Sequence, residues 1–269
     1  MKTTLVTAPA YMPITLADVK AHLRVEDAFT TDDSYIQSLI FQAVDEVESI
    51  LNRKLITQTW KYFLDDWPDG DDIVLPYGKL QSVTHVYYTD SDGTQQTDFD
   101  ENDEWTSDTD SDPGRVILKY GESWPSTTLA YENPIEIQFV CGYGTHAVLT
   151  VTGATNASPI VITSGTHGLS TGNRVQIASV GGNTAANGTW IITKSDDNSF
   201  SLNGSTGNAA YTSGGTAVRL TVPEPIRQAI RLLVAEKYSY REETITVQLV
   251  SGIKGYIINL LWPYRLMSF

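Results

Sequence analysis

"SGTHGLSTGNRVQIASVGGNTAANGTW", Ser164–Trp190, lies past the middle of a 269-residue chain, and its reading decides how everything around it is divided. Glycine and asparagine punctuate it, and its apolar residues Val175 and Ile177 alternate with period two. The same pattern runs from Ala147 to Val222: Ile160/Ile162, Val175/Ile177, Trp190/Ile192, Phe200/Leu202 and Val218/Leu220, separated by Gly/Asn/Ser/Thr turns. Short alternating strands with frequent turns predict a small all-β sandwich or barrel. No helical segment is expected in it.

The flanks follow other periods. "PITLADVKAHLRV" predicts a helix capped by Thr15, with Asp18 at capping-box spacing and Leu16, Val19 and Leu23 on one face. In "TTDDSYIQSLIFQAVDEVESILNRK", Asp32 and Asp33 favour a helix start by capping and by the macrodipole. Ile36, Leu39, Ile40, Ala43, Val44, Val47, Ile50 and Leu51 then recur at threes and fours. Burying the larger of these contributes roughly 10–20 kcal/mol gross, at ~1.5–3 kcal/mol each. Asp45, Glu46 and Glu48 are expected to face solvent.

From Leu55 the period becomes two. "LITQTWKYFL", "IVLPYG", "LQSVTHVYYT", "RVILKY" and "PIEIQFVCGYG" predict about five strands, with "DSDG" as a hairpin turn. After the β block, "VPEPIRQAIRLLVAEKYSYREE" restores the helical stripe through Ile226, Ala229, Ile230, Leu233 and Val234, with Pro225 in the first turn. A short last helix is expected to stop at Pro263. The expected class is therefore α+β: a helical bundle (N-terminal hairpin plus C-terminal helix) with an antiparallel β layer, interrupted by the β block. Residues 1–146 and 222–269 form one discontinuous domain and residues 147–221 an inserted one.

Composition narrows the function. Formal net charge is −14, and Asp65–Asp112 alone holds fifteen acidic residues against Lys79. Such a chain lacks the clustered Lys and Arg that grip nucleic acid. The single Cys141 excludes an intramolecular disulfide and a multi-cysteine metal site, and reads as a small buried residue. No signal-peptide core opens the sequence, and no run approaches the ~20 apolar residues of a membrane helix. The expectation is a soluble protein made in the cytoplasm, without membrane contact.

Chemistry-bearing residues are few. His167 and Ser170 in "THGLSTG" suggest a hydrolase, but no G-x-S-x-G occurs and the nearby acids, Asp196 and Asp197, sit in an expected turn. "SDTDSDPG", Ser107–Gly114, departs from an EF-hand loop: Pro113 displaces the glycine, and the twelfth position from Asp108 is Lys119. His22, His85, His146 and His167 have no metal-ligand spacing, and no phosphate loop is present. No catalytic residue, metal or cofactor is expected. The tail "WPYRLMSF" is different: Trp262, Tyr264, Arg265, Leu266, Met267 and Phe269 are costly to leave in water, so they pack on their own domain or on a partner.

"PITLADVKAHLRVEDAFTTDDSYIQSLIFQAVDEVESILNRKLITQTW", together with "VPEPIRQAIRLLVAEKYSYREE" and "LLWPYRL", resembles the head–tail connector proteins, or head-completion adaptors, of tailed phages. The resemblance implies a structural virion protein of the neck, assembled in the host cytoplasm. Its copies form a ring, usually a dodecamer, that docks on the portal, extends the DNA tunnel and receives a tail, stopper or tail-terminator protein. It casts Trp262, Tyr264, Arg265, Leu266, Met267 and Phe269 as the portal contact. It casts Asp65, Asp66, Asp69, Asp71, Asp72, Asp108, Asp110 and Asp112 as a tunnel or surface segment that repels passing double-stranded DNA. The β block departs from the plain adaptor pattern. "GNTAANGTWIITKSDDNSFSLNGSTGNAAYTSGGTA" is similar to the first catalytic cysteine half-domain of ubiquitin-activating enzymes, a barrel scaffold from which no enzymatic residue carries over. The alternative from another class is a receptor- or glycan-binding structural module using the β block; a hydrolase is a third.

Overall fold

The computed structural model describes residues 2–101, 103–144, 148–239 and 255–267. The chain separates into two compact units, one of residues 1–144 with 222–269 and one of residues 145–221.

The first unit carries two cores. In the helical one, α1 (Leu16–Leu23), α2 (Asp33–Leu51) and α3 (Glu224–Ser239) pack on one another. Thr15 starts α1 as its sequence requires: its hydroxyl accepts the Asp18 amide at 3.1 Å, and the Asp18 carboxylate accepts the Thr15 amide at 3.4 Å. The α2 stripe from Ile36 to Leu51 meets Ile226, Ala229, Ile230, Leu233 and Val234 of α3 in one buried cluster. A helix over residues 255–261 adds Ile257 and Leu261 to it. Pro263 lies in the 3-10 turn Trp262–Tyr264 that follows.

Two expectations about α2 need correction. Asp32 makes no side-chain capping bond; its carboxylate accepts the Tyr238 hydroxyl at 2.6 Å. Glu48 is buried rather than solvated, because one carboxylate oxygen accepts the Leu55 amide at 2.9 Å and the other pairs with Lys54 at 2.9 Å.

The second core lies under two antiparallel sheets. The larger joins β1 (Lys2–Thr7), β2 (Gln58–Leu64), β4 (Leu80–Thr89), β5 (Gln95–Gln96) and β8 (Ile135–Cys141) in the order β1-β2-β8-β4-β5. The smaller joins β3 (Asp72–Val74), β6 (Trp105–Asp108) and β7 (Arg115–Leu118) in the order β3-β7-β6. In β8 the alternation is strict: Ile135, Ile137, Phe139 and Cys141 point into the core, and Glu136 and Gln138 point away. Three of the eight strands, β1, β5 and β6, lie outside the stretches marked by sequence alternation.

The second unit is a seven-stranded antiparallel sheet: β9 (Val148–Thr150), β10 (Gly153–Ala154), β11 (Ile160–Thr163), β12 (Arg174–Ala178), β13 (Gly188–Lys194), β14 (Ser199–Leu202) and β15 (Thr216–Arg219), ordered β10-β11-β14-β13-β12-β15-β9. Ile160, Ile162, Val175, Ile177, Ile192, Phe200 and Leu202 form its core, on the phase the alternation indicates. In β15 the phase is shifted by one, so Ala217 faces inward and Val218 is half-buried. Where no helical segment is expected, the described residues of this unit include one three-residue 3-10 turn, Thr184–Ala186.

Candidate interaction surface

The expected tail contact and the expected acidic segment, distant in sequence, meet at one place in the first unit. α2 ends at Asn52 in the left-handed conformation, and the next residue, Arg53, is buried. Its Nη1 donates to both carboxylate oxygens of Asp112, at 2.9 and 2.8 Å, and its Nε donates to the Tyr264 carbonyl. Lys79 adds a second cation to Asp112 at 3.3 Å. The Leu266 amide donates to the Leu51 carbonyl at 2.9 Å, satisfying one of the open carbonyls at the end of α2. The Leu266 side chain is buried over Gly78, whose φ of 57° suits glycine. A Cβ at Gly78 would approach Leu266 Cδ1 to 2.7 Å and Arg53 Nη1 to 2.9 Å.

The tail is thus split by burial. Tyr264 and Leu266 are seated in their own unit. Trp262 and Met267 are 56% and 55% exposed, and the Arg265 guanidinium lies over the Trp262 ring at 5.8 Å. Phe269 lies outside the described residues. A groove of about 570 Å3 runs beside the tail, lined by Val74, Pro76, Tyr77, Asp112, Arg115 and Met267 among others.

The acidic segment is likewise divided. Asp72 and Asp108 pair with Arg115 at 3.3 and 2.9 Å. Hydrogen bonds from Ser111 and Arg115 hold the Asp108 carboxyl well below the ordinary range. Burial alone would raise the pKa of Asp112, but the Arg53 bonds and charge, with Lys79, outweigh it and hold the carboxyl low. Asp65, Asp66, Asp69, Asp71 and Asp110 are exposed. Sequence reasoning missed Arg53 and Arg115 as the organising cations; no local signal marks them, since their partners arrive from other strands and loops.

His167 is a structural ring rather than a base facing solvent. It is buried, its Nδ1 accepts the Leu169 amide at 3.0 Å, and its Nε2 donates to the Asp196 carbonyl at 2.9 Å. It meets Phe200 edge-on, with centroids 5.1 Å apart. Ser170 is exposed, its amide bound to Asn173 Oδ1. Asp108 Oδ1 accepts the amides of Asp110 and Ser111, a turn built by the side chain itself. Among the described residues no group of three His, Cys, Asp or Glu side chains is placed to hold a metal, and no helix is long and apolar enough to cross a membrane. His146 lies outside the described residues.

Fold and surface together define a mixed helix and sheet protein of the α+β class. By sequence, residues 13–104 match the family model described as phage gp6-like head-tail connector protein, a span that takes in α1, α2 and β2 to β5. By fold, the chain is similar to a chain of the neck of an empty GTA particle computed with C6 symmetry, at 17% identity and TM-score 0.59, covering 100% of this chain and 97% of that one. It is also similar to a chain from the virion of a native gene transfer agent (GTA) particle, TM-score 0.58, and to one from the neck of a native GTA particle computed with C12 symmetry, TM-score 0.54, both at 17% identity with the same coverage. No curated protein matches the sequence. The family match and the shared fold support a structural protein of the phage neck.

Proposed function

We propose that this chain is a ring-forming head–tail connector, a non-enzymatic virion protein that docks on the portal, extends the DNA tunnel and joins the head to a tail, stopper or tail-terminator protein. The observation that carries the reading is the connector-family match over residues 13–104 within a fold that follows neck proteins along its whole length. The ring is homo-oligomeric and dodecameric, in keeping with the sixfold and twelvefold symmetries of the similar necks. The helical part acts as the protomer's bundle, and residues 147–221 act as an inserted domain, the barrel resembling the ubiquitin-activating half-domain. Trp262, Arg265 and Met267 make the portal contact, with Tyr264 and Leu266 holding them in place. The exposed acids Asp65, Asp66, Asp69, Asp71 and Asp110 keep the surface from binding DNA.

The test is reconstitution. Purified chain is mixed with portal-bearing, tailless heads, and occupancy is read by sedimentation and by imaging of the vertex. The expected result is a ring of added density beneath the portal and a gain in tail joining. Chain that stays unbound at concentrations well above that of the heads overturns the reading.

A further inference from the structure

The five-stranded sheet ends in two unlike edges. β1 bonds to β2 on one side only and closes the order at that end; β5 closes it at the other. An edge strand presents a row of unpaired backbone donors and acceptors, and proteins usually guard it with proline, charge or cover. β1 has six residues, no proline and a single charge, Lys2, and its Leu5 and Val6 are 43% and 46% exposed. A bulge at Val6 leaves Lys2–Leu5 as the regular run. The β5 edge has the opposite character: exposed Thr94, Gln95 and Thr97 stand between exposed Asp92 and Asp98. One edge carries a lone lysine beside threonines and two exposed apolar residues; the other is a two-residue strand, polar and flanked by acids.

We propose that β1 of one copy adds to the β5 edge of the next, so that the occupant of each edge is a second copy of this chain and the sheet continues across the joint. The inference rests on the ring reading above and names the surfaces that build the ring. The two edges of one sheet point in opposite directions, so joining unlike edges is head-to-tail, the interface type that closes into rings. β1 against β1 would instead be antiparallel and two-fold and would stop at a pair, with Lys2 of each copy opposite Leu5 of the other and no acid to meet. Main-chain bonds supply the attraction, and Lys2 facing Asp92 and Asp98 selects the partner edge. Each joint is small, and closure of the ring makes the joints act together.

Cysteine pairing tests it. Thr4→Cys protein is mixed with Gln95→Cys or Thr97→Cys protein, and the mixture is treated with a short bismaleimide, while light scattering reports the mass of unlinked wild type. Cys141 is buried and does not compete. The expected result is a covalent dimer from each mixture, little from Thr4→Cys alone, and a ladder from the double variants Thr4→Cys/Gln95→Cys or Thr4→Cys/Thr97→Cys. In parallel, Lys2→Glu raises the half-assembly concentration about two- to fivefold at low salt, and Asp98→Lys in the same chain restores it. Rings of full mass without 4–95 or 4–97 products overturn these surfaces and leave the ring standing. Wild type that remains monomeric at every concentration and gives no product overturns both.

Discussion

At the scale of single residues, the first unit is held by cations that sequence periodicity does not reveal. Arg227 is 1% exposed inside the apolar stripe of α3, and reaches the Pro13 carbonyl at 3.1 Å, Glu224 at 2.8 Å and Asp18 at 3.0 Å. Lys20 is buried too, donating to the Asp27 and Phe29 carbonyls and pairing with Asp33 at 2.9 Å, which pins the turn between α1 and α2. Such pairings are invisible in a linear reading because Arg227 and Asp18 stand 209 positions apart. Asp112 gives a pH test. Its folded pKa is depressed, so its contribution is present above the unfolded carboxylate range and is lost as pH falls through the folded value. Asp112→Asn should therefore cost about 1–2 kcal/mol at pH 7, allowing for solvent access to the pair. The gap in melting temperature to wild type should shrink as pH falls below about 4. A gap that stays constant down to pH 2.5 would contradict the assignment. Cys141 offers a second check: burial pushes its thiol up to about 12, so a thiol reagent at pH 8 should label it only once the chain is unfolded.

At the scale of elements, helices were the most legible. The threes and fours of α2 and α3 name twelve of the nineteen buried residues of the helical core, since a buried stripe has to repeat with the turn. Glu48 escaped because its partners, Lys54 and the Leu55 amide, lie past the end of the helix. β1 escaped because an exposed edge strand leaves no alternation to detect, its burial being almost uniform. β15 runs one residue out of phase with the alternation because Ala217, which faces inward, is a weaker apolar signal than its neighbour Val218. In the tail, bulk apolar content was legible, but the division of labour was not, since Arg53 and Tyr264 stand 211 positions apart. That division makes a prediction. Leu266→Ala should destabilise the first unit by about 2–4 kcal/mol, as removal of a buried leucine does. Trp262→Ala with Met267→Ala should leave the denaturation midpoint within error and reduce binding to portal-bearing heads. Equal loss of stability in both variants would show that the exposed pair also belongs to the protomer's own packing.

At the scale of the whole molecule, two units divide the chemistry. Asp65–Asp112 carries a net charge equal to that of the entire chain, while Ala147–Val222 has three basic residues against two acidic ones. Duplex DNA should therefore bind negligibly at physiological salt; a gel shift at low micromolar protein would refute this. The helical core, the sheet core and the core of the second unit share no residue. Joining Gly144 to Val222 should therefore leave a cooperatively melting protein with helical circular dichroism and fixed tertiary signals. A molten product would show that residues 145–221 complete the first unit's core.

The second unit begins and ends in neighbouring antiparallel strands, with Val148 opposite Val218 and Leu149 opposite Ala217. That register has a mechanical consequence. Tension drawn along the chain through residues 144 and 222 would reach this sheet at one end of one strand pair. Because antiparallel bonds lie across the strands, such a pull peels them singly instead of shearing them together. β9 and β15 would part at low force, after which the load would pass from β10 to β15 across β11, β14, β13 and β12. The β9–β15 pair at the insertion point would thus be the first part of this sheet to yield.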